Sequence, residues 1–345
     1  MEGEDGRSRR RPTMREVAAL AGVSLSTVSR VLNGIDVQPD LERRVRDAVV
    51  LLDYRRDLTA STLRRADRLS ATIGLLLEDV ANPFFSALHR SVEDVARQRG
   101  VLAFAGSSDE DPARERELVE GLLARGVDGL IVAPTAGDQS YLARDHQAGV
   151  AFVFVDRPPR FIDADAVVSD NAGGAAAAVA HLAARGHRRI AFLGDRPEIH
   201  TATERLRGYH EALARHGIAG DPALIRHPLL GIDEARQATR DLLGGADPPT
   251  ALFTSQNLIT IGAVRTLHEL GLQHAIALVG FDDVTLADVV DPPLTVVAQD
   301  ATAIGAEAAK LLFARLDGDA SPTRSVSLPT TLVERGSGEI APTEG

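Results

Sequence analysis

The sequence of 345 residues lacks cysteine entirely. Disulfide bonds, thiolate nucleophiles and cysteine-based zinc sites are therefore excluded, and a reducing cytoplasm suits such a chain. No run of about 18 apolar residues occurs, and no apolar h-region follows the arginine-rich start "RSRRR". We therefore expect neither membrane insertion nor export, and we expect the protein in the cytoplasm.

Sequence signatures of catalysis are missing as well. The nucleotide-binding loops G-x-G-x-x-G and G-x-x-x-x-G-K-[ST] do not occur, and neither do H-E-x-x-H or G-x-S-x-G. The ten histidines show no spacing typical of metal ligands. We expect no enzymatic activity, no catalytic residue, no cofactor and no bound metal.

The formal net charge of -11 hides an uneven distribution. Residues 1–68 hold 14 arginines and 11 acidic residues, a balance of +3, whereas the remaining residues sum to -14. A basic head on an acidic body favours a polyanion, such as a phosphate backbone, at one end only. The basic run itself also fits a solvated, disordered tail, to which we assign residues 1–12.

Three helical patterns follow in residues 13–56. Apolar side chains recur at helical spacing from Met14 to Ala21, and Gly22 supplies the left-handed position at which a helix commonly stops. Ser24 can cap a second helix, whose outer face carries small hydroxyls and Arg30. A third helix opens at Pro39. The pattern indicates a helix-turn-helix that enters a major groove, and a small helical bundle that binds protein is the alternative.

The stretch "MREVAALAGVSLSTVSRVLNG" resembles the helix-turn-helix of the lactose-repressor (LacI/GalR) family, whose pattern is apolar-x-x-VA-x-x-AGVS-x-x-TVSRVLN. The resemblance implies that one set of residues holds the phosphates of an operator and another faces its base edges. The phosphate set is Thr13, Ser24, Thr27, Ser29 and Asn33, and the base-edge set is Leu25, Ser26 and Arg30. Because Leu25 and Ser26 cannot make bidentate contacts, we expect Arg30 on a guanine to dominate direct readout.

Residues 57–68, "DLTASTLRRADR", form a segment too short and too polar to build a hydrophobic core by itself. In the family such a segment is a hinge helix that orders on the operator and wedges a leucine into the minor groove. Ala60 and Leu63 share a helical face, and Leu63 matches that leucine. The family's Tyr-x-Pro-Asn before the helix reads "YRRD" here, without the proline, and an unstructured linker is the alternative.

From residue 69 to residue 336 the chain alternates apolar strand-like runs with helical stretches. The runs "ATIGLLL", "VLAFAG", "DGLIVAP" and "VAFVFVD" form one set, and "RRIAFLG", "TALFTS" and "AIALVGFDD" form another. They predict an α/β body of two doubly wound parallel-sheet lobes. The resemblance implies a periplasmic-binding-protein type of body with crossings near residues 167, 297 and 325. Lobe 1 is then about 69–167 and 298–325, lobe 2 about 168–297 and 326–336, and residues 337–345 are a tail.

Ligands of such lobes lie off the carboxyl ends of strands, in the cleft between the lobes. Polar residues at those ends are candidates, and the family motifs "NPFF", "DR", R-x-x-G-aromatic and G-aromatic-DD support them. The effector-binding residues predicted in this way are Phe84, Phe85, Asp156, Arg205, Gln256, Asn257 and Asp282. Gln256 and Asn257 replace an Asn-Asp pair of the family, which removes a fixed negative charge and puts the usual sugar specificity in question.

The sequence therefore predicts a homodimeric transcriptional regulator, most simply a repressor, that binds a palindromic operator in double-stranded DNA. A small polar effector, a sugar or a related metabolite, would control it from the interlobe cleft. The C-terminal residues carry no leucine heptads, so a tetramerising coiled coil is not expected. Two alternatives share this body: a solute-binding or sensor protein, and a regulator that depends on a nucleoside-type corepressor.

Overall fold

The computed structural model describes residues 12–32, 34–54 and 70–342 in two compact units, one within the first 70 residues and one from Ala71 onward. Three predicted features lie outside the described residues: the basic tail up to residue 11, Asn33, and the hinge helix with Ala60 and Leu63. Among the described residues, no helix combines the length and the apolar character that crossing a membrane requires.

The first unit contains the helices α1 Met14–Ala21, α2 Leu25–Leu32 and α3 Pro39–Leu51. Their apolar faces meet in one core, in which Val17, Val28 and Val45 are fully buried. Helix α1 ends at Gly22, whose φ of 62° lies in the left-handed region, and a Cβ there would lie 2.5 Å from the guanidinium of Arg44. Glycine therefore permits the tight turn between α1 and α2 that the sequence predicted.

The second unit holds two lobes built from alternating strands and helices. In chain order its elements are β1 Thr72–Leu77, α4 Pro83–Gln98, β2 Leu102–Ser107, α5 Pro112–Ala124, β3 Gly129–Val132, a 3-10 turn Gln139–Leu142, α6 Ala143–Gln147, β4 Ala151–Asp156, β5 Asp165–Ser169, α7 Asn171–Ala184, β6 Ile190–Leu193, α8 His200–Arg215, a 3-10 turn Pro222–Leu224, β7 Ile225–Arg226, α9 Ile232–Leu243, β8 Ala251–Thr254, α10 Asn257–Leu270, β9 Ala277–Phe281, β10 Thr295–Ala298, α11 Ala301–Leu316, β11 Ser325–Leu328 and β12 Thr331–Val333.

Lobe 1 is a six-stranded sheet in the order β11-β5-β4-β3-β1-β2, and all its pairs are parallel. Helices cover both faces of this sheet. Since successive side chains of a strand point to opposite sides, each strand contributes to the core on both faces. In β1, Ile73, Leu75 and Leu77 pack into the core beneath α4 and α11, while Leu76 packs into the core beneath α5. This two-sided burial explains why the strand is a continuous apolar run.

Lobe 2 is a second six-stranded sheet in the order β12-β10-β9-β8-β6-β7. Its pairs are parallel except for the edge strand β12, which runs antiparallel to β10. One core lies beneath α7 and α8, and the other lies beneath α9 and α10. The predicted doubly wound α/β architecture is confirmed, with this one antiparallel pair at the edge.

The chain passes between the lobes three times, after β5, after β10 and after β11. The crossings therefore fall at residue 170, at residues 299–300 and at residues 329–330, a few residues later than the sequence predicted. The third boundary, placed at 325, cuts through β11. Because Ser325 to Leu328 all pair with β5, the chain leaves lobe 1 only after residue 328.

The segment predicted as a C-terminal tail, residues 337–345, is described up to residue 342 and is packed on lobe 2. Ser337 is buried, and its hydroxyl donates to the carbonyl of Leu278 at 2.6 Å. The ring of His187 lies 2.8 Å from the carbonyl of Ile340. Residues 337–342 therefore belong to lobe 2, which corrects the prediction of a free tail.

Candidate functional site

Helix α2 presents a polar face opposite its buried residues Val28 and Val31. On that face Leu25 is 39% exposed, and Ser26 and Arg30 are also exposed. All three predicted base-edge residues therefore lie on an accessible surface of the first unit. Small side chains on this face allow a groove to approach the helix closely.

Two predicted phosphate ligands already cap helices. The hydroxyl of Thr13 donates to Glu16 at 2.8 Å in a capping box at the start of α1. The hydroxyl of Ser24 accepts the backbone N–H of Thr27 at 3.1 Å at the start of α2. Helix N-termini attract anions, so these positions suit phosphate contact, and the phosphate roles of Thr13, Ser24, Thr27 and Ser29 stay predictions.

The two lobes line a partly open cavity with about 420 Å³ of space, which includes space continuous with solvent. All seven predicted effector residues line it, so the structure brings together every pocket candidate that the sequence supplied. The complete lining is Glu78, Asn82, Phe84, Phe85, Asp156, Arg157, Asp195, Ile199, Thr201, Arg205, Gln256, Asn257, Asp282 and Gln299.

Asp156 and Asp282 occupy equivalent places in the two lobes. Asp156 is the last residue of β4, and Asp282 directly follows β9. Both have φ in the left-handed region, 69° for Asp156 and 71° for Asp282, and both are buried. This conformation is uncommon for residues other than glycine, and such strain concentrates at functional sites.

Arg157 lies at the lobe 1 side of the cavity within a group of three carboxylates. Its Nε donates to Asp156 at 3.0 Å, one terminal nitrogen donates to Glu78 at 3.1 Å, and the other donates to Glu110. Burial alone would lower the pKa of the Arg157 guanidinium, but Asp156, Glu110 and Glu78 together raise it. The group is therefore an ion cluster around a buried arginine, in which every nitrogen of the arginine is used and Glu78 is the most exposed carboxylate.

Two carboxyl groups of this cluster have displaced pKa values. Burial raises the pKa of Glu78 to about 7, although Arg157 draws it down. Burial also raises the pKa of Glu110, against the attraction of Arg157. Glu110 reaches Arg157 from a backbone with a φ of 57°. The cavity therefore holds at least one carboxyl group that changes charge near neutral pH.

Arg205 lies at the lobe 2 side of the cavity. Its Nε donates to Asn171 at 2.7 Å, its Nη1 donates to the carbonyl of Ser255 at 2.6 Å, and its guanidinium lies 3.9 Å from the ring centre of Phe281. Burial lowers the pKa of Arg205, while the charge of Asp282 opposes the change. These contacts fix the guanidinium at the edge of the cavity.

Side chains from the two lobes meet directly across the cleft. The amide nitrogen of Asn257 donates to Oδ1 of Asn82 at 2.8 Å. An Arg196 nitrogen of lobe 2 lies 3.9 Å from Glu110 of lobe 1. Arg160 of lobe 1 also donates to the carbonyl of Glu198 in lobe 2 at 3.5 Å. A change in lobe closure would alter these contacts.

Sequence reasoning missed several lining residues. Three of them could have been found, because they follow the carboxyl ends of strands, where ligands of such lobes lie. Glu78 directly follows β1, Gln299 directly follows β10, and Asp195 lies two residues beyond β6. Ile199 and Thr201 stand around the start of α8 and carry no signal in the sequence.

His181, Glu334 and Glu339 bring ligand atoms within 4.8 Å of one another on lobe 2. Arg185 donates to Glu334 at 3.1 Å and lies 3.0 Å from Nδ1 of His181. Its guanidinium supplies the positive charge that a metal ion would bring. The cluster is therefore an ion-pair network that fastens the C-terminal segment.

Comparisons with known proteins give matches to both the three-helix head and the two-lobed body. The sequence profile described as "Bacterial regulatory proteins, lacI family" matches residues 13–57, and the one described as "Periplasmic binding protein-like domain" matches residues 179–338. The transcriptional regulator CelR of Thermobifida fusca is 35% identical over 342 residues, which cover 96% of this chain and 99% of that protein.

Two solved structures are similar over nearly the whole length. The lac repressor dimer bound to operator and the anti-inducer ONPF has a TM-score of 0.83 at 28% identity, covering 95% of this chain and 99% of that chain. The CelR–cellobiose complex has a TM-score of 0.71 at 32% identity, covering 95% of this chain and 100% of that chain.

Proposed function

This chain belongs to the lacI family of bacterial regulatory proteins, and on that premise we propose that it is a dimeric repressor controlled by a small polar effector. It binds a palindromic operator through α2 and the effector in the interlobe cavity. The observation that carries the proposal is the presence of two features in one chain: an exposed polar helix face and an interlobe cavity lined by carboxylates.

The head supports sequence-specific DNA binding. Arg30 is exposed on α2, and its planar guanidinium can donate twice to O6 and N7 of a guanine in the major groove. Leu25 and Ser26 lie beside it, and neither side chain is large enough to hold the helix away from the groove. We propose the phosphate contacts of Thr13, Ser24, Thr27, Ser29 and Asn33, and the minor-groove contacts of Ala60 and Leu63, on the family pattern.

The cavity supports a hydroxyl-bearing effector of the sugar class. Asp156, Arg205, Asp282 and Asn257 provide charged and amide groups that form directed hydrogen bonds with hydroxyls, while Phe84 and Phe85 offer apolar ring faces. The related CelR structure contains cellobiose. We assign this cleft to binding rather than to catalysis, and we place the protein in the cytoplasm, where its operator would be.

Strand β2 supports the dimer. It is an edge strand of lobe 1, and its side chains Leu102 and Phe104 are 57% and 52% exposed. An apolar edge strand is a liability for a monomer, because unpaired backbone groups and apolar side chains invite association. A second copy of this chain would cover strand β2, and the resulting dimer would carry the two heads that a palindrome requires.

Control then follows from lobe closure. An effector that prefers one relative position of the lobes shifts the population toward it, by no more than its differential affinity for the two states. We propose that this position sets the spacing of the two segments at residues 57–68, and hence operator affinity.

Selection of bound duplexes from a random library, followed by gel shifts, tests this function. We expect a palindrome whose affinity falls steeply with salt, since arginine contacts to phosphate release counterions. A solute-binding protein of the same body fold would retard no duplex. Failure of every sugar tested to alter operator affinity would contradict the effector part.

A further inference from the structure

We propose that the effector is a hydroxylated amine of the amino-sugar class, whose ammonium group lies beside Glu78, Asp156 and Asp195. The inference rests on the proposed function and names the ligand class of the same cleft. Four carboxylates, Glu78, Asp156, Asp195 and Asp282, line the cavity, against two guanidinium groups. A cleft with this balance of charge favours a ligand that brings positive charge.

The two guanidinium groups are partly occupied by protein acceptors. Arg157 donates to Asp156, Glu78 and Glu110, so each of its nitrogens is engaged within lobe 1. Arg205 uses Nε on Asn171 and Nη1 on the carbonyl of Ser255, which leaves its Nη2 to donate to a ligand. An anionic ligand would therefore meet four lining carboxylates with one partly engaged guanidinium to offset them.

The amide of Asn257 presents at the cavity an acceptor that is unpartnered among the described residues. Oδ1 of Asn82 already accepts the backbone N–H of Phe84 at 3.1 Å, so it is an acceptor, and the group that Asn257 presents to it must be NH₂. This fixes the orientation of the Asn257 amide. Its Oδ1 is then a buried acceptor to which no described residue donates.

Gln299 repeats the pattern at the other side of the cavity. Its Nε2 donates to the carboxylate of Asp282 at 2.6 Å, which fixes the amide orientation because a carboxylate accepts. Its Oε1 is buried, and none of the described residues donates to it. Two oriented amide oxygens and four carboxylates thus favour a ligand rich in hydrogen-bond donors. Hydroxyl and ammonium groups both supply such donors.

Glu78 indicates where the ammonium group lies. The charged groups that face it are Arg157, Glu110, Asp156 and Asp195, and a second cation, Arg196, lies 3.7 Å from Asp195 and 3.9 Å from Glu110, so two cations serve four carboxyl groups. Burial raises the pKa of Glu78 to about 7, and the neighbouring carboxylates add to that rise. A further cation beside Glu78 would hold it ionised and relieve the repulsion, whereas a neutral hydroxyl would leave that repulsion in place.

Isothermal titration of the full-length protein with matched sugars tests the inference. Each set shares one skeleton: glucose, glucosamine and glucuronate; galactose, galactosamine and galacturonate; cellobiose and its diamino counterpart, the chitosan disaccharide. We expect at least one amine to bind at least tenfold tighter than its neutral counterpart, and no uronate to bind. Glu78→Gln should reduce that amine-to-neutral ratio about tenfold, while the exposed Glu117→Gln on α5 should leave the ratio as it is.

Asp195→Asn is the second variant if Glu78→Gln fails to fold, and it should reduce the same ratio. A neutral sugar that binds as tightly as its amine, a uronate that binds, or failure of all the amines would overturn the inference. Spermidine binding as tightly as the best amine would overturn its hydroxyl part. The proposed function fails separately, if the protein selects no duplex.

Discussion

At the scale of single residues, Arg30 is held by an internal contact that the proposed guanine would have to replace. Its Nη2 donates to the backbone carbonyl of Asp36 at 2.8 Å, in the loop between α2 and α3. A guanine offers two acceptors in place of this single carbonyl, so the exchange is favourable on the right base. On a wrong base the arginine could keep its internal contact instead. On the proposed guanine contact, the discrimination by Arg30 would therefore be the difference between two guanine acceptors and this one carbonyl.

Arg30→Ala should weaken binding to the selected operator by about 1–3 kcal/mol and relax the preference at one position of each half-site. Repeating the duplex selection with the variant, and measuring affinity by fluorescence anisotropy, checks both effects. Arg125→Ala, in lobe 1, removes the same charge far along the chain from the head and should change neither. An unaltered sequence preference in the Arg30 variant would rule out the base contact.

Glu78 should make stability depend on pH. The folded protein keeps this proton up to about pH 7, whereas the unfolded chain loses it near the ordinary value of 4.5, so stability falls as pH rises between the two. Glu78→Gln cannot ionise. The variant should therefore melt at a higher temperature than the parent at pH 8, and the advantage should shrink as pH is lowered to 6. Scanning calorimetry at several pH values measures this.

The exposed Glu117→Gln serves as the control for that series, because its carboxyl group is not enclosed among other carboxylates. Its melting temperature should follow that of the parent at every pH. A constant difference between Glu78→Gln and the parent across the range would show that Glu78 is ionised throughout.

At the scale of elements, the R-x-x-G motif on α8 joins helix packing to the cavity. A Cβ on Gly208 would lie 2.2 Å from the carbonyl oxygen of Ala172 in α7. Only glycine allows α8 to come this close, and the same approach brings Arg205, about one turn earlier, to Asn171 at the start of α7. The glycine therefore positions the arginine.

Gly208→Ala should push α8 away from α7, destabilise the fold by about 1–3 kcal/mol through overpacking, and weaken effector binding through Arg205. Denaturant unfolding and calorimetric titration measure the two effects. Gly121→Ala in α5 is the matched control: its nearest neighbour would be the flexible side chain of Arg125 at 3.3 Å. There alanine should stabilise by roughly 0.5–1 kcal/mol. A Gly208 variant as stable as the parent would contradict the close approach.

The sequence predicted those elements that a local pattern of residues determines. Apolar runs located β1 and β9, and the strand-end rule placed Asp156 and Asp282 in the cleft. It could not foretell Glu110 as a partner of Arg157. That contact depends on a left-handed loop backbone and on the register of β1 against β2, which residues far apart in the chain fix together.

At the scale of the whole molecule, effector binding has to act through few connections. The second unit passes between its lobes only three times among the described residues. The cleft is bridged by Asn82 with Asn257, by Glu110 with Arg196 and by Arg160 with Glu198. The first two of these bridges adjoin the cavity lining. A ligand there can therefore favour one lobe arrangement without disturbing either sheet core, which is what a switch between two packed states needs.

Two heads must be joined to read a palindrome, so operator affinity depends on the contact between two copies of the chain. Phe104→Glu places a charge on the exposed apolar edge strand β2, which would be buried between two copies. We expect sedimentation to show a monomer, and operator affinity to fall by 10²–10⁴-fold toward that of a single half-site, since the second head loses its effective concentration. Phe161→Glu, at a side chain that is 77% exposed outside β2, should leave the dimer and the affinity intact. A Phe104 variant that stays dimeric would move the interface to another surface.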